Sequence, residues 1–433
     1  MKHTFPVRIP PAAGWKPFLI LWSTQALSAL GSAMTSFALV VWSYQQQGSA
    51  LTTALLSVCS YAPYVVLSIF AGSLGDRWNR RRTMMLCDAF AAGTTLAVLC
   101  LLRAGRLAVW HLYALNALNG LMNTIQQPVS DVAATLLTPK DQAQRVGGLR
   151  ALSGSLVTLL GPALAAALLA LAGLEAVIAF DLFTCAAAVL SLGLFIRLPE
   201  EAAGGARPSL TQSAGEGLRW LWANRGVLDL ILFLACINLI ASMYNAALPA
   251  LLLSRPGGGE RALGAVQLCT GLAHLAGSLA VTVLPPPRSR VRVICSSLLL
   301  SMSTENLILA LGRSVPVWCA GAVLGWLTVP VMSANMDALL RLRIPVEMQG
   351  RVYAARNTLQ FFTIPLGYLL GGWLVDRVCA PLMAAQGPDA PLTCLLGSDG
   401  GGGAALLFLA IALAGTLVCL VFRADRRLWE LER

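Results

Sequence analysis

No residue between Lys16 and Asp76 carries a charge. About 20 apolar residues suffice for a helix to cross the hydrocarbon of a bilayer, so this stretch holds two crossings joined by the polar turn Gln45, Gln46, Gln47, Gly48. The rest of the chain is similar. Hydrophobic residues fill 57% of its 433 positions and charged residues 12%, about half the roughly 25% of a soluble domain. That is more apolar surface than a water-soluble core can hide. The first run, 17–44, also exceeds the roughly 7–15 apolar residues of a removable signal peptide, so it reads as a retained helix.

Apolar runs bounded by turns or charges predict spans near 17–44, 51–73, 83–102, 108–136, 147–173 and 175–197, then 227–253, 263–284, 293–312, 316–340, 352–376 and 404–423. Each must be helical, because an open strand edge in hydrocarbon leaves its amides without partners. Residues 198–226 hold Pro199, Glu200, Glu201, Gly204, Gly205 and Pro208, turn formers and charges that read as a linker. Its end, 216–222, mixes charges with Trp and Leu, which suits either a short helix in the bilayer interface or an ordinary turn.

Sliding the sequence 206 positions against itself sets Asp131 on Asp337, Pro139 on Pro345, Arg145 on Arg351, Val146 on Val352, Arg150 on Arg356 and Gly161 on Gly367, with Asp141 on Glu347. Leu and Val coincide by chance in apolar sequence. Asp, Pro, Arg and Gly in one order mark a repeat. The expectation is an all-α integral membrane protein of about 12 transmembrane helices in two six-helix halves, 1–197 and 227–433, related by a pseudo-two-fold axis along the membrane normal. Parallel repeats of this kind place a substrate near mid-membrane between them.

The net charge of +11 does not form a nucleic-acid face, because the cations sit in short clusters between apolar runs. Of the 31 Lys and Arg, six fall in loops of one side (Arg103, Arg106, Arg255, Arg261, Arg313, Arg377), Arg150 and Arg356 lie in helix ends, and the other 23 share the opposite side. Cations favour the cytoplasm, so both termini are expected there, in an inner or plasma membrane. The eleven cysteines are scattered and behave as small hydrophobes. No pair has metal-site spacing, so no metal is expected. Cys379 and Cys394 share one outer loop, where either a disulfide or two thiols are allowed.

The loop after the second span reads Gly72, Ser73, Leu74, Gly75, Asp76, Arg77, Trp78, Asn79, Arg80, Arg81, Arg82. It resembles the GxLADRxGRR signature of the major facilitator superfamily, with Gly75 and Asn79 at the departures. The resemblance implies a conformational latch in which Gly72 admits a close neighbour and Asp76, Arg77, Arg80 and Arg81 exchange contacts with Asp131, and Asp337 is its counterpart in the second half. Span 5 matches part of an antiporter signature at Gly148, Gly161 and Pro162, but Val157, Ala165 and Ala166 stand where that pattern has glycine, which leaves the transport direction open. The stretch 19–48, the run 345–351 and Tyr353 are similar to bacterial macrolide and drug exporters of the superfamily. This likeness implies secondary active export by alternating access.

Polar residues recur at helical spacing in four spans: Gln25, Ser28, Ser32 and Thr35; Asn116, Asn119, Asn123 and Gln126; Asn238, Ser242 and Asn245; Gln267, Thr270, His274 and Ser278. Lipid offers them no partner, so each stripe faces either another helix or a wet cavity. Four together favour a shared cavity, since the resembled family lines its path with helices 1, 4, 7 and 10. Ionisable groups inside a bilayer are costly and mark function by default. Glu305 is the first candidate for carrying a proton and Asp181 the second, with Asp181 alternatively bridging helices. His274 is a candidate or a packing histidine, and Asp88 suits a pair with Arg150.

No GxxxxGK[ST] loop is present, and none of the three lysines (Lys2, Lys16, Lys140) follows a glycine-rich turn, so ATP is not expected. No HExxH or GxSxG centre supports an enzyme. The expected partners are a small-molecule substrate, protons and the lipid bilayer, with no cofactor. An importer, a lipid or siderophore transporter on the same fold, or a non-transporting membrane sensor are the alternatives.

Overall fold

The computed structural model describes residues 15–75, 79–137, 143–196, 210–283, 285, 287–387 and 389–432. All regular structure among them is helical. The first helices are α1 (Trp15–Gln47), α2 (Ala50–Gly75), α3 (Arg80–Arg103), α4 (Val109–Leu137), α5 (Ala143–Leu194) and α6 (Leu210–Ala223). Then come α7 (Arg225–Ser254), α8 (Glu260–Val283), α9 (Arg290–Leu311), α10 (Val315–Trp326), α11 (Val329–Arg343), α12 (Val346–Phe361) and α13 (Thr363–Leu374). A π-helical turn, Val375–Cys379, leads to α14 (Ala380–Ala384), α15 (Pro391–Leu396), α16 (Gly402–Ala424) and α17 (Arg426–Glu430).

Nine helical stretches among the described residues are long and apolar enough to cross a membrane. One of them, Ser153–Leu194, contains two expected spans, because Gly173 adopts φ 77° and ψ −179°. That backbone region is open essentially to glycine alone, so α5 breaks into two arms, 143–172 and 174–194. Leu171, Phe183, Leu194, Leu413 and Leu417 point outward, as side chains solvated by lipid do.

In the N-terminal set, α1 packs on α5, α2 on α4, and α3 on α4 and α5; in the C-terminal set, α7 packs on α13 and α16, α8 on α10, and α9 on α10, α11 and α16. The sets meet where α2 crosses α13 and α5 crosses α8. At the first crossing a Cβ on Gly372 would lie 2.6 Å from the Leu51 Cα, the backbone-to-backbone approach that small residues permit where lipid supplies no hydrophobic drive.

The ends of α1 and α7 meet at Tyr44 and Ser254, so the starts of both helices lie toward the opposite face, where the C-terminal end packs. Glu432 accepts bonds from Ser289 Oγ and the Val291 amide at the start of α9 (both 2.7 Å), and Arg427 pairs with Asp229 at 3.5 Å near the start of α7. On the opposite, distal face, the buried Arg255 donates to the carbonyls of Gly312, Ala310 (2.9 Å) and Leu396 (2.7 Å), tying the ends of α7, α9 and α15. Burial lowers its pKa, with Asp399 opposing. Cys379 is a buried free thiol, so the disulfide with Cys394 is not formed. In the linker, α6 buries Leu221 and leaves Leu218 and Trp222 exposed, with the Arg225 guanidinium 4.7 Å over the Trp222 ring. The 216–222 segment is therefore helical rather than a turn.

Candidate functional site

Among the described residues, two cavities between the helices receive most of the polar stripes. The first, about 510 Å³, is inside the N-terminal set, bounded by α1, α3, α4 and the second arm of α5. The helical spacing of Gln25, Ser28, Ser32 and Thr35 turns these side chains of α1 into it, and Asn116, Asn119, Asn123 and Gln126 of α4 face them. Two carboxylates sit in this polar wall. Asp88 accepts from Gln25 Nε2 at 2.7 Å and Gln126 Nε2 at 2.5 Å. Asp181 accepts from Ser32 Oγ at 3.1 Å and Thr95 Oγ1 at 3.2 Å, with Cys185 Sγ at 3.6 Å. Thr94 Oγ1 donates to Asn119 Oδ1 at 2.9 Å. Burial without such partners would cost several kcal/mol per ion; here Asp88 exchanges water for two short amide donors and Asp181 for hydroxyls and a thiol.

The second cavity, about 720 Å³, opens between the sets. Phe37 and Val40 of α1, Val157 and Pro162 of α5, Tyr244, Asn245 and Leu248 of α7, Gln267, Thr270 and His274 of α8, and Trp326 of α10 line it. The wall is chiefly apolar and aromatic. The His274 and Trp326 rings are tilted 6.2 Å apart, and Trp326 Nε1 donates to Glu305 Oε1 at 3.1 Å. Glu305, only 3% exposed, thus lies one side chain behind the wall. Gly325 makes room for it, since a Cβ there would collide with the carboxylate.

Three polar contacts join the sets on the distal face. Tyr44 Oη bonds Ser254 Oγ at 2.7 Å, and Gln45 Nε2 donates to Glu260 Oε1 at 2.6 Å. Asp376, in the π-helical turn, accepts from Ser49 Oγ (2.6 Å) and the amides of Ala50 (3.0 Å) and Leu51 (2.9 Å). A carboxylate from one set thereby caps the first turn of α2 in the other, where the helix dipole favours negative charge. Deeper in, the Tyr61 and Tyr368 rings stack at 6.2 Å across the same crossing.

The sequence profile of the Major Facilitator Superfamily matches residues 21–286. The chain belongs to that superfamily. Macrolide efflux protein A of Streptococcus pyogenes is 25% identical over 372 residues, 84% of this chain and 91% of that protein. The multidrug efflux pump Tap of Mycobacterium tuberculosis is 25% identical over 379 residues, covering 83% and 87%. A crystal structure of a nucleoside transporter NupG mutant superposes with a TM-score of 0.71 at 12% identity, covering 95% of this chain and 99% of that one; a likeness at that identity concerns the fold. This facilitator is a multi-span membrane transporter and not an enzyme.

Within the facilitator fold the four polar stripes divide. Those of α1 and α4 share the polar chamber with Asp88 and Asp181, while Asn245, Gln267, Thr270 and His274 face the central cavity. Ser36 lines both. Asn238 faces neither; its Nδ2 donates to the Gln360 carbonyl at 3.3 Å, joining α7 to α12. Gly161 packs on Ala33 of α1, and Pro162 reaches the central cavity.

Of the latch, Asp76 and Arg77 lie outside the described residues, as do the side chains of Asp131 and Arg150 and the surroundings of Gly72 and Gly148. Arg80 opens α3. Arg81 donates to the carbonyls of Leu192 (2.9 Å) and Gly193, pinning the start of α3 to the end of α5. Asp337 pairs with Arg356 at 3.4 Å, and Arg356 Nε donates to Gln360 Oε1 at 3.1 Å. Sequence reasoning missed Asp376 and Thr95. Asp376 was recoverable as a charge at the end of the eleventh run, but its partner α2 is more than 300 residues away in the chain.

Proposed function

We propose that this facilitator is a proton-coupled exporter of hydrophobic or amphipathic small molecules of macrolide- or drug-like size, working by alternating access. The observation that carries the reading is the central cavity: about 720 Å³, walled by apolar and aromatic side chains, set between two groups of helices and closed over on the distal face. Pockets of this size and character suit ligands with few polar groups. The names of the efflux relatives support the same class of substrate.

The proposed architecture is twelve crossings in two six-helix bundles, 1–197 and 227–433, related by an axis along the membrane normal. Matching packing supports it: α1 on α5 corresponds to α7 on α13, α2 on α4 to α8 on α10, and α3 on α5 to α9 on α16. The termini and the 198–226 linker face the cytoplasm, with α6 lying in the interface. Asp76, Arg77, Arg80, Arg81 and Asp131 form the latch that exchanges contacts as the bundles rock. The Asp337–Arg356 pair supports this as the second copy of an Asp131–Arg150 pair, 206 positions on. Glu305, behind Trp326, and Asp181, in the polar chamber, are the proton carriers, with His274 at the cavity wall.

Purified protein in proteoliposomes tests the proposal. An imposed pH gradient should drive a labelled macrolide in the export direction, and a protonophore should abolish the movement. Movement in the import direction would favour an importer, and flux indifferent to the gradient would remove the proton. Asp76→Asn should slow turnover while substrate binding stays nearly intact; equal loss of both would remove the latch.

A further inference from the structure

A cysteine alone in an apolar helix packs as a small hydrophobe; two in contact are a different case. Cys269 of α8 and Cys319 of α10 set their thiols against each other at hydrogen-bonding range. Neither is among the described residues that line the central cavity. Both are partly exposed, whereas Cys87, Cys185, Cys295, Cys379 and Cys419 are buried. Helical spacing accounts for the exposure. Leu272 and Leu279 share a face with Cys269, Val323 lies one turn beyond Cys319, and all three are exposed. The pair therefore sits where the α8–α10 seam meets the hydrocarbon.

The seam has two ends. α8 starts at Glu260, which holds Gln45 on the distal face, and α10 starts just after Gly312, whose carbonyl accepts from Arg255 on that face. Both helices thus run inward from the distal side, and at 1.5 Å per residue Cys269 lies about 14 Å and Cys319 about 6 Å along its own helix. Further in, the helices are pressed together. A Cβ on Gly277 would collide with the Leu327 carbonyl, and the His274 and Trp326 rings stand 6.2 Å apart on the wall of the central cavity. One end of the seam carries the two thiols and the other shapes the cavity.

A disulfide needs its Cβ atoms about 4 Å apart, a gap that thiols already in contact close by side-chain rotation and a small helix shift. The thiolate is the reacting form. A thiolate on either sulfur here accepts the S–H of the other, which offsets part of its cost in apolar surroundings. An oxidant that reaches the pair from the hydrocarbon must itself dissolve there. We propose that Cys269 and Cys319 form a reversible redox site that a lipid-dissolved quinone oxidises to a disulfide, stapling α8 to α10. Two S–H bonds break and one S–S bond forms, and the two electrons and both protons pass to the quinone oxygens to give the hydroquinone. The staple limits how far the two helices part, so the cavity admits bulky ligands less readily. That consequence rests on the reading of the central cavity as the substrate site; the staple itself does not.

The full chain in lipid nanodiscs, treated with duroquinone, tests this, because the fully methylated ring takes electrons without alkylating thiols. After the remaining thiols are blocked with N-ethylmaleimide, peptide mass spectrometry should find Cys269 joined to Cys319, and a trialkylphosphine should release them. Oxidation should raise the unfolding temperature of the native protein and of Cys59→Ser, but not of Cys269→Ser or Cys319→Ser. Maleimide on both thiols after quinone treatment, or a bridge from either to another cysteine, would overturn the site. Oxidation should also weaken binding of a labelled macrolide about fivefold, the low end of typical coupling between sites, and leave both serine variants unchanged. A bridge that forms while affinity stays native removes its hold on the cavity. Reduced native protein that binds no macrolide counts against the exporter reading, while the peptide map still decides the staple.

Discussion

The chamber inside the N-terminal set and the cavity between the sets differ less in size, about 510 against 720 Å³, than in chemistry. One holds two carboxylates, amides and hydroxyls bonded to one another; the other presents Phe37, Val40, Tyr244, Leu248 and Trp326. The proposed rocking accounts for the difference: helices of one set would move together and keep hydrogen bonds such as Gln25–Asp88 and Ser32–Asp181. Walls that separate each cycle would have to break such bonds, at about 1.5–3 kcal/mol for each one to a charged group. Apolar walls part without leaving a polar atom unpaired. The distal closure is the exception, and Asp376 concentrates it at one helix end, where a single movement releases three bonds.

The largest effect is expected in the polar chamber. Asp181→Asn should lower gradient-driven transport on the order of 100-fold, the upper end of typical coupling between sites, and leave macrolide affinity within about twofold. A parallel loss of affinity, read by ligand-induced fluorescence change, would erase the division between the cavities. Next comes the central wall, where Trp326→Ala should weaken substrate binding roughly 10- to 30-fold, as loss of a buried aromatic anchor does. Trp326→Phe should retain most of the affinity, because the ring rather than the N–H faces the ligand.

The distal closure follows. Asp376→Asn keeps the shape but loses the charge on the first turn of α2, and should shift the balance toward a distally open form by about tenfold. Spin labels at Gln46 and Arg261 read the separation; an unchanged distance distribution would assign the closure to the Tyr44 and Gln45 contacts instead. Asn119→Ala is the mildest, removing the acceptor of Thr94 at the cost of about 1 kcal/mol of stability and little transport. A hundredfold transport loss there would make the α4 amides part of the proton's path rather than its lining.

Much of the layout was readable before any coordinates. The apolar runs placed the helices, the 206-residue offset singled out Asp337 and Arg356, which pair at 3.4 Å, and spacing on α1 and α4 put Gln25, Ser32, Asn119 and Gln126 on inward faces. Two expectations were too simple. The four stripes serve two cavities, because a stripe shows that a face is wet without saying which neighbour shares the water. Asn238 has the same spacing as Asn245 yet bonds the Gln360 carbonyl, since a polar side chain in lipid is equally served by a helix partner.

The sequence by itself determined the solvent of this protein and its helical state, because these follow from transfer energies and from the 3.6-residue turn, both local quantities. The tertiary structure alone decided which polar groups meet. It put Glu305 behind Trp326, joined Asp88 to two glutamines on different helices, and brought Asp376 to the first turn of α2. Those meetings depend on how helices far apart in the chain cross and rotate against one another, which small residues such as Gly325 and Gly372 settle by close contact and which no single helix encodes.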